Sequence, residues 1–137
     1  MENSLVFVDT SAFYALMDRS DSNYEQAAKL WRHLLEKELY LTTSTYVIVE
    51  TLTLLQSRLG FDAANLFYQD VLSIAKVLWI ESPLHNLAYA LWLSLGRKNI
   101  SFVDCISFIT MRQHGIETAF AFDSHFQEQG FNSVQSH

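Results

Sequence analysis

Four acidic residues stand out by where they fall: Asp9, Glu50, Asp104 and Asp123. Asp9 is the first polar residue after the run Leu5-Val6-Phe7-Val8, and Asp123 is the first after Ala119-Phe120-Ala121-Phe122. Glu50 interrupts Tyr46-Val47-Ile48-Val49, with no Lys or Arg three or four positions away to pair with it. Asp104 sits among Phe102, Val103, Cys105 and Ile106. Each has an ordinary use when taken singly. Asp at a strand-to-helix turn is a good N-cap, Ser101-x-x-Asp104 approximates a capping box, Asp123 suits a turn, and Glu50 can pair with a base from elsewhere in the chain. Taken together they describe an acidic pocket. Two carboxylates about 4 Å apart repel by roughly 4 kcal/mol at an effective dielectric near 20. That is large beside a domain stability of about 5–15 kcal/mol. Such a cluster persists when a divalent cation fills it or when some members hold protons. An all-oxygen carboxylate site suits Mg²⁺ or Mn²⁺, and an ion held there can activate water and brace a scissile phosphate.

The elements that must position these acids follow from the hydrophobic pattern. Leu5–Val8 reads as a buried parallel strand ending at Asp9. Residues 11–17 read as a short helix. Ser22 and Glu25 have capping-box spacing, and Tyr24, Ala27, Ala28, Trp31, Leu34 and Leu35 then share one helical face. Residues 39–42 predict a second strand, 44–59 a helix stopped by Gly60, 61–75 a further helix and 77–80 a third strand. Pro83 opens another helix, with Ala88, Leu91, Trp92 and Leu95 on its apolar face. Ser101 caps a helix running to His114 and stopped by Gly115. Residues 118–122 make a fourth strand ending at Asp123, and residues 131–134 an edge strand. Apolar strands alternating with helices predict an α/β three-layer sandwich with a mostly parallel four- or five-stranded central sheet. Sites in such sheets form beyond the carboxyl ends of the strands, so Asp9 and Asp123 are expected on one edge.

The 137 residues predict one domain, residues 1–137, and a hydrophobic fraction of 50% is enough for a core and too high for disorder. One cysteine, Cys105, excludes an intrachain disulfide framework. Met1-Glu2-Asn3-Ser4 lacks the basic start of a signal peptide, and no run approaches the ~20 apolar residues of a membrane span; a cytoplasmic protein with no membrane association is expected. The net charge of −6 runs against a phosphate-binding surface, unless bound cations reverse the local sign at the acids.

The motifs resemble the PIN-domain family, and most closely its toxin ribonucleases of the VapC type. The matching pieces are Phe7-Val8-Asp9-Thr10-Ser11 with Ala15-Leu16 following, Glu50 in its apolar helix, Ser101-Phe102-Val103-Asp104-Cys105, and Phe122-Asp123-Ser124-His125-Phe126 with Gly130 behind. Each is short, but four in the right order over nearly the whole chain are specific. The resemblance implies a PIN fold, Mg²⁺ or Mn²⁺, cleavage of single-stranded or structured RNA, homodimers and a cognate antitoxin. Carried over residue by residue, it makes Asp9, Glu50, Asp104 and Asp123 the metal-binding catalytic acids and Thr10, Ser11 and Ser101 supporting hydroxyls. Arg97 and Lys98 are the candidates for phosphate contact, although cations also suit a helix C-terminus without any ligand.

The leading expectation is therefore a metal-dependent endoribonuclease, the toxin of a toxin–antitoxin pair, in which metal-activated water attacks phosphorus. Two alternatives stay open. One is a catalytically silent interaction module using its aromatic surface, with Trp31 and Trp92 expected in the core and the helix pair from Ser44 to Ala75 as a dimer face. The other is an acidic-pocket phosphatase or receiver-type protein. It is weakened because Ser11 stands where a phosphatase of the Asp-x-Asp kind needs its second acid, and because Ser124 and His125 follow Asp123. His125 is close enough in sequence to act as a ligand, but a lone His beside a site is more often a supporting group.

Overall fold

Leu5–Val8 forms β1, the centre of a five-stranded parallel sheet. The structure, a computed structural model, describes residues 5–134. β1 is flanked by β2 (Tyr40–Ser44) and β4 (Thr118–Phe120), with β3 (Lys76–Leu78) and β5 (Asn132–Ser133) outside them, giving the order β3-β2-β1-β4-β5. Val6, Phe7 and Val8 are all buried, as a parallel strand covered on both faces requires. The helices are α1 (Thr10–Met17), α2 (Tyr24–Glu36), α3 (Thr45–Leu59), α4 (Phe61–Leu66), α5 (Ser82–Leu95), α6 (Phe102–His114) and α7 (His125–Glu128). The chain steps from β1 out to β3 in one direction, then returns past β1 to β4. With right-handed crossovers this reversal puts helices on both sides of the sheet, the expected three-layer sandwich. It also opens a crevice between the carboxyl ends of β1 and β4, where Val8 pairs with Phe120.

Six phenylalanines (Phe7, Phe13, Phe67, Phe108, Phe120 and Phe126) are at most 1% exposed and dominate the core; burying each contributes roughly 1.5–3 kcal/mol. Phe13 meets Phe67 edge-on at 5.0 Å, fixing α1 to the segment after α4. Phe108 meets Phe126 at 5.2 Å, fixing the short α7 to α6. The second contact matters for the site, because α7 is too short to hold itself in place.

Several elements depart from the sequence expectation. The Ser22–Glu25 capping box does not form: α2 starts at Tyr24, and its N-cap, Asn23, makes no side-chain capping bond. Asp21 supplies the turn instead, accepting from the Asn23 N–H at 2.8 Å. β2 runs on to Ser44, with Thr42 and Thr43 hydroxyls donating to the carbonyls of Val6 and Val8 at 3.0 and 2.9 Å. β3 is shifted toward the N-terminus of the expected 77–80. β4 ends at Phe120 and not Phe122, because the next two residues peel away to meet α1. The expected helix over 61–75 is α4 continuing into a π-helical turn, Phe67–Val71, and a 3₁₀ turn, Leu72–Ile74. Trp31 packs edge-on against the core residue Phe13, but Trp92 is 39% exposed: α5 packs chiefly on α6, and its far face meets solvent. No described helix is long and apolar enough to cross a membrane.

Candidate metal centre and active site

Asp9 ends β1 and caps α1. Its Oδ2 accepts from the Ser11 N–H at 3.1 Å and from the Ser11 hydroxyl at 2.8 Å. Its own N–H donates to the Phe120 carbonyl at 3.0 Å, which pins the end of β1 to the end of β4. Asp104 lies in the first turn of α6 within a complete capping box: Ser101 Oγ accepts from Asp104 N–H, and Asp104 Oδ2 accepts from Ser101 N–H, both at 3.0 Å. Asp123 follows β4 and forms an Asx turn, its Oδ1 accepting from the His125 N–H at 3.0 Å. That turn swings the imidazole back over the acids. His125 Nδ1 lies 3.2 Å from Asp104 Oδ2 and 3.5 Å from Asp123 Oδ1. Asp104, Asp123 and His125 each offer a ligand atom, all within 4.8 Å of one another.

The three aspartates share a pattern. Each commits one carboxylate oxygen to hydrogen bonds that hold the loop or helix end, and the second oxygen has no hydrogen-bond partner among the described residues. Local capping and turn bonds explain the first oxygen of each; they do not explain why the three converge.

Electrostatics join the four acids into one site. Burial raises the Asp9 carboxyl to about 7, reinforced by Asp123 and Asp104 and opposed by the Ser11 hydrogen bonds. Burial also raises Asp104, with Asp123 adding to it and Ser101 and His125 opposing. Glu50 is raised by burial too, with the Thr10 hydroxyl opposing and Asp104 and Asp123 contributing. Glu50 is half-buried rather than enclosed as its apolar neighbours predict, since Val49 beside it is 63% exposed.

The supporting hydroxyls divide. Thr10 is buried, donates to Val47 O at 3.4 Å and accepts from Thr51 at 3.1 Å, locking α1 against α3. Ser11 holds Asp9, and the exposed Ser101 holds Asp104. Arg97 and Lys98 lie elsewhere: both are exposed, Arg97 pairs with Glu128 at 3.1 Å, and with Trp92, Leu93 and Gly96 they line a cavity of 380 Å³. The charged groups acting on Asp9, Glu50 and Asp104 are Asp123, Asp104 and His125. The sequence signal for His125 is its place two residues after Asp123, the spacing of an Asx turn.

These donors suit a hard divalent cation, being carboxylate oxygens crowded enough to hold protons in its absence. Residues 6–132 match the PIN domain family.

The chain belongs to the PIN domain family.

This PIN domain is 36% identical over 132 residues to the 23S rRNA-specific endonuclease VapC20 of Mycobacterium tuberculosis, covering 96% of this chain and 98% of that protein. The crystal structure of that VapC20, described as a sarcin-ricin loop cleaving toxin, superposes with a TM-score of 0.86 at 34% identity, covering 96% and 99% of the two chains. FitAcB from Neisseria gonorrhoeae shares the fold at 16% identity, with a TM-score of 0.67 and 95% and 96% of the chains covered. PAE2754 from Pyrobaculum aerophilum does so at 24% identity, with a TM-score of 0.61 and 94% and 88% covered. This PIN domain is thus a homologue of a VapC-type ribosomal RNA endonuclease.

Proposed function

We propose that the chain is a divalent-metal-dependent endoribonuclease that cuts RNA at an accessible loop or single strand, and that it acts as the toxin of a toxin–antitoxin pair. The observation that carries the reading is the meeting of acids from four separate elements, Asp104 and Asp123 with ligand atoms within 4.8 Å of each other and Asp9 and Glu50 near enough to feel their charge, with one oxygen of each aspartate left for a ligand. Asp9, Asp104 and Asp123 would hold the ion, with Glu50 completing the acidic wall and His125 positioning Asp104 and Asp123. A bound Mg²⁺ or Mn²⁺ supplies activated water and neutralises charge on the phosphate. The chain's own part is to fix the carboxylates before substrate arrives, so that little reorganisation accompanies the reaction. Ser11 and the Ser101 capping box do this for Asp9 and Asp104. The ribosomal RNA target of the relative makes 23S rRNA the first substrate to try.

A second copy of the chain is the proposed partner at another face. Val49, Tyr68 and Trp79 are 63%, 51% and 77% exposed and border one apolar hollow beside the edge strand β3. Apolar exposure of that kind marks an association surface, and light scattering at micromolar concentration tests it. A cognate antitoxin and a cytoplasmic site of action rest on the VapC relationship.

The deciding experiment is cleavage of labelled single-stranded RNA and of 23S rRNA by antitoxin-free wild type and Asp9→Asn, with Mg²⁺, Mn²⁺ or EDTA. The expected result is metal-dependent cleavage that Asp9→Asn loses while its circular dichroism stays native. Equal cutting by both proteins, or activity surviving EDTA, overturns the proposal.

A further inference from the structure

A chain of aromatic rings leads from the acidic site to the surface of α5. Tyr46, one helical turn before Glu50, lies 6.3 Å from Phe102, which is two residues before Asp104. His85 closes this group, hydrogen-bonded through Nδ1 to the Tyr46 hydroxyl and 5.1 Å from the Phe102 ring. Phe102 meets Trp92 edge-on at 6.2 Å, and Trp92 stacks on Tyr89 at 5.9 Å with an interplanar angle of 28°. Inner members are half-buried, whereas Trp92 and Tyr89 are 39% and 50% exposed.

Two features of this outer end favour a polyanion with flat apolar groups. The cavity against Trp92 is also lined by Arg97 and Lys98, the only adjacent Lys/Arg pair in a sequence of net charge −6. Lys98 forms no ion pair among the described residues, while Arg97 is engaged by Glu128. Second, the ring chain continues inward to Phe102 and Tyr46, two and four residues before Asp104 and Glu50. Unpaired bases stack on aromatic side chains while neighbouring cations hold the backbone.

We propose that Trp92, with Tyr89 behind it, is a stacking platform for an unpaired base of the RNA substrate, and that Lys98 holds the adjoining phosphate. This deepens the nuclease reading and rests on it. The platform selects RNA whose base is already out of a helix, because a paired base has no free face to offer. Specificity for flexible loops then arises without hydrogen bonds to base edges.

The test uses a fluorescein-labelled single-stranded RNA dodecamer carrying one 2-aminopurine, and a matched dodecamer with an abasic site in its place. Binding is measured with Mg²⁺ in the Asp9→Asn background, and cleavage with Asp9 intact. Stacking should quench 2-aminopurine. Trp92→Leu should abolish the quench and weaken binding of the intact dodecamer about fivefold or more, with little effect on the abasic one. Trp92→Phe, which keeps a ring against Phe102, should restore both. Tyr89→Leu, at a more exposed position, removes the ring behind Trp92 and should weaken the quench and the binding in the same direction. Lys98→Ala should weaken both dodecamers alike and lower the salt slope by about one. Binding and quenching unchanged in Trp92→Leu overturn the platform, as does failure of the parent to bind. A change of mass by light scattering in Trp92→Leu without an effect on RNA also overturns it, assigning the face to a second copy. Trp92-dependent quenching without cleavage by wild type would sink the nuclease reading and leave the platform standing. Cleavage with a KM indifferent to Trp92→Leu would do the reverse.

Discussion

The Ser11 hydroxyl donates to Asp9 Oδ2 at 2.8 Å and accepts from the Phe122 N–H at 3.0 Å, across 111 residues of sequence. One small side chain thus orients an acid of the site and fastens the departing end of β4 to the start of α1. Ser11→Ala should leave the Phe122 N–H without its partner and cost about 1–3 kcal/mol of stability by urea denaturation. It should lower kcat more than it raises KM, because Asp9 loses its orientation. A Ser11→Thr variant retaining kcat would support the hydroxyl as the operative group; wild-type kcat in Ser11→Ala would refute the role.

Asp9 makes the metal-free protein sensitive to pH in a definite direction. Its folded pKa is raised from 3.8 to about 7, so the native state binds more protons than the unfolded chain between those values. Stability from this group therefore falls as pH rises through that window, and the penalty is fully present above pH 7. Glu50 and Asp104 are raised in the same direction and add to it. Asp9→Asn keeps the acceptor for Ser11 and removes the charge. In EDTA it should melt several degrees above wild type at pH 8, with the gap closing toward pH 4. Calorimetry showing the mutant less stable at pH 8 would refute the account.

His125 should act on the metal through its hold on Asp104 and Asp123. Removing a group that orients ligands typically weakens metal binding by about 10–100-fold. His125→Ala is expected to weaken Mn²⁺ binding within that range by isothermal titration, and to restore part of its cleavage at high Mn²⁺. Asp104→Asn, which alters a ligand itself, should not be rescued by Mn²⁺ in the same range.

Glu38 is the one non-glycine residue with a left-handed backbone among those described, at φ 56° between α2 and β2. Left-handed geometry costs about 1–2 kcal/mol for a residue with a Cβ. Glu38→Gly should raise stability by about 0.5–1 kcal/mol after allowing for the freer unfolded chain, without changing cleavage. A lower urea midpoint would contradict this.

Most of the acidic site was legible because its residues break strong local patterns. Asp9 and Asp123 end apolar runs, Asp104 completes a Ser101 cap, and Glu50 interrupts an apolar helix. What joined them was the order of strands, which depends on pairing between distant segments. His125 was legible as a possible ligand or supporting group, but its hold on both Asp104 and Asp123 was not, because that follows from the Asx turn at Asp123 and from Phe126 anchoring α7 on Phe108. The α2 cap was misplaced because Asp21 competes with Ser22 for the same turn. The π-helical turn left no mark, since it buries Phe67 at the spacing an α-helix would also allow. Trp92 fell on the right helical stripe, but the stripe says nothing of how many neighbours cover it.

The reversal of winding between β1 and β4 has a consequence for biosynthesis. A ribosome makes β1 long before β4, yet these strands are neighbours, and the candidate site draws Asp9 from the end of one and Asp123 from just beyond the other. Asp9 must wait through the making of Glu50 and Asp104 until Asp123 emerges and β4 takes its place beside β1. Every nascent or prematurely terminated chain shorter than that lacks both an acid and the strand that positions its partner. On the nuclease reading, the complete acid set therefore assembles only once β4 has joined β1.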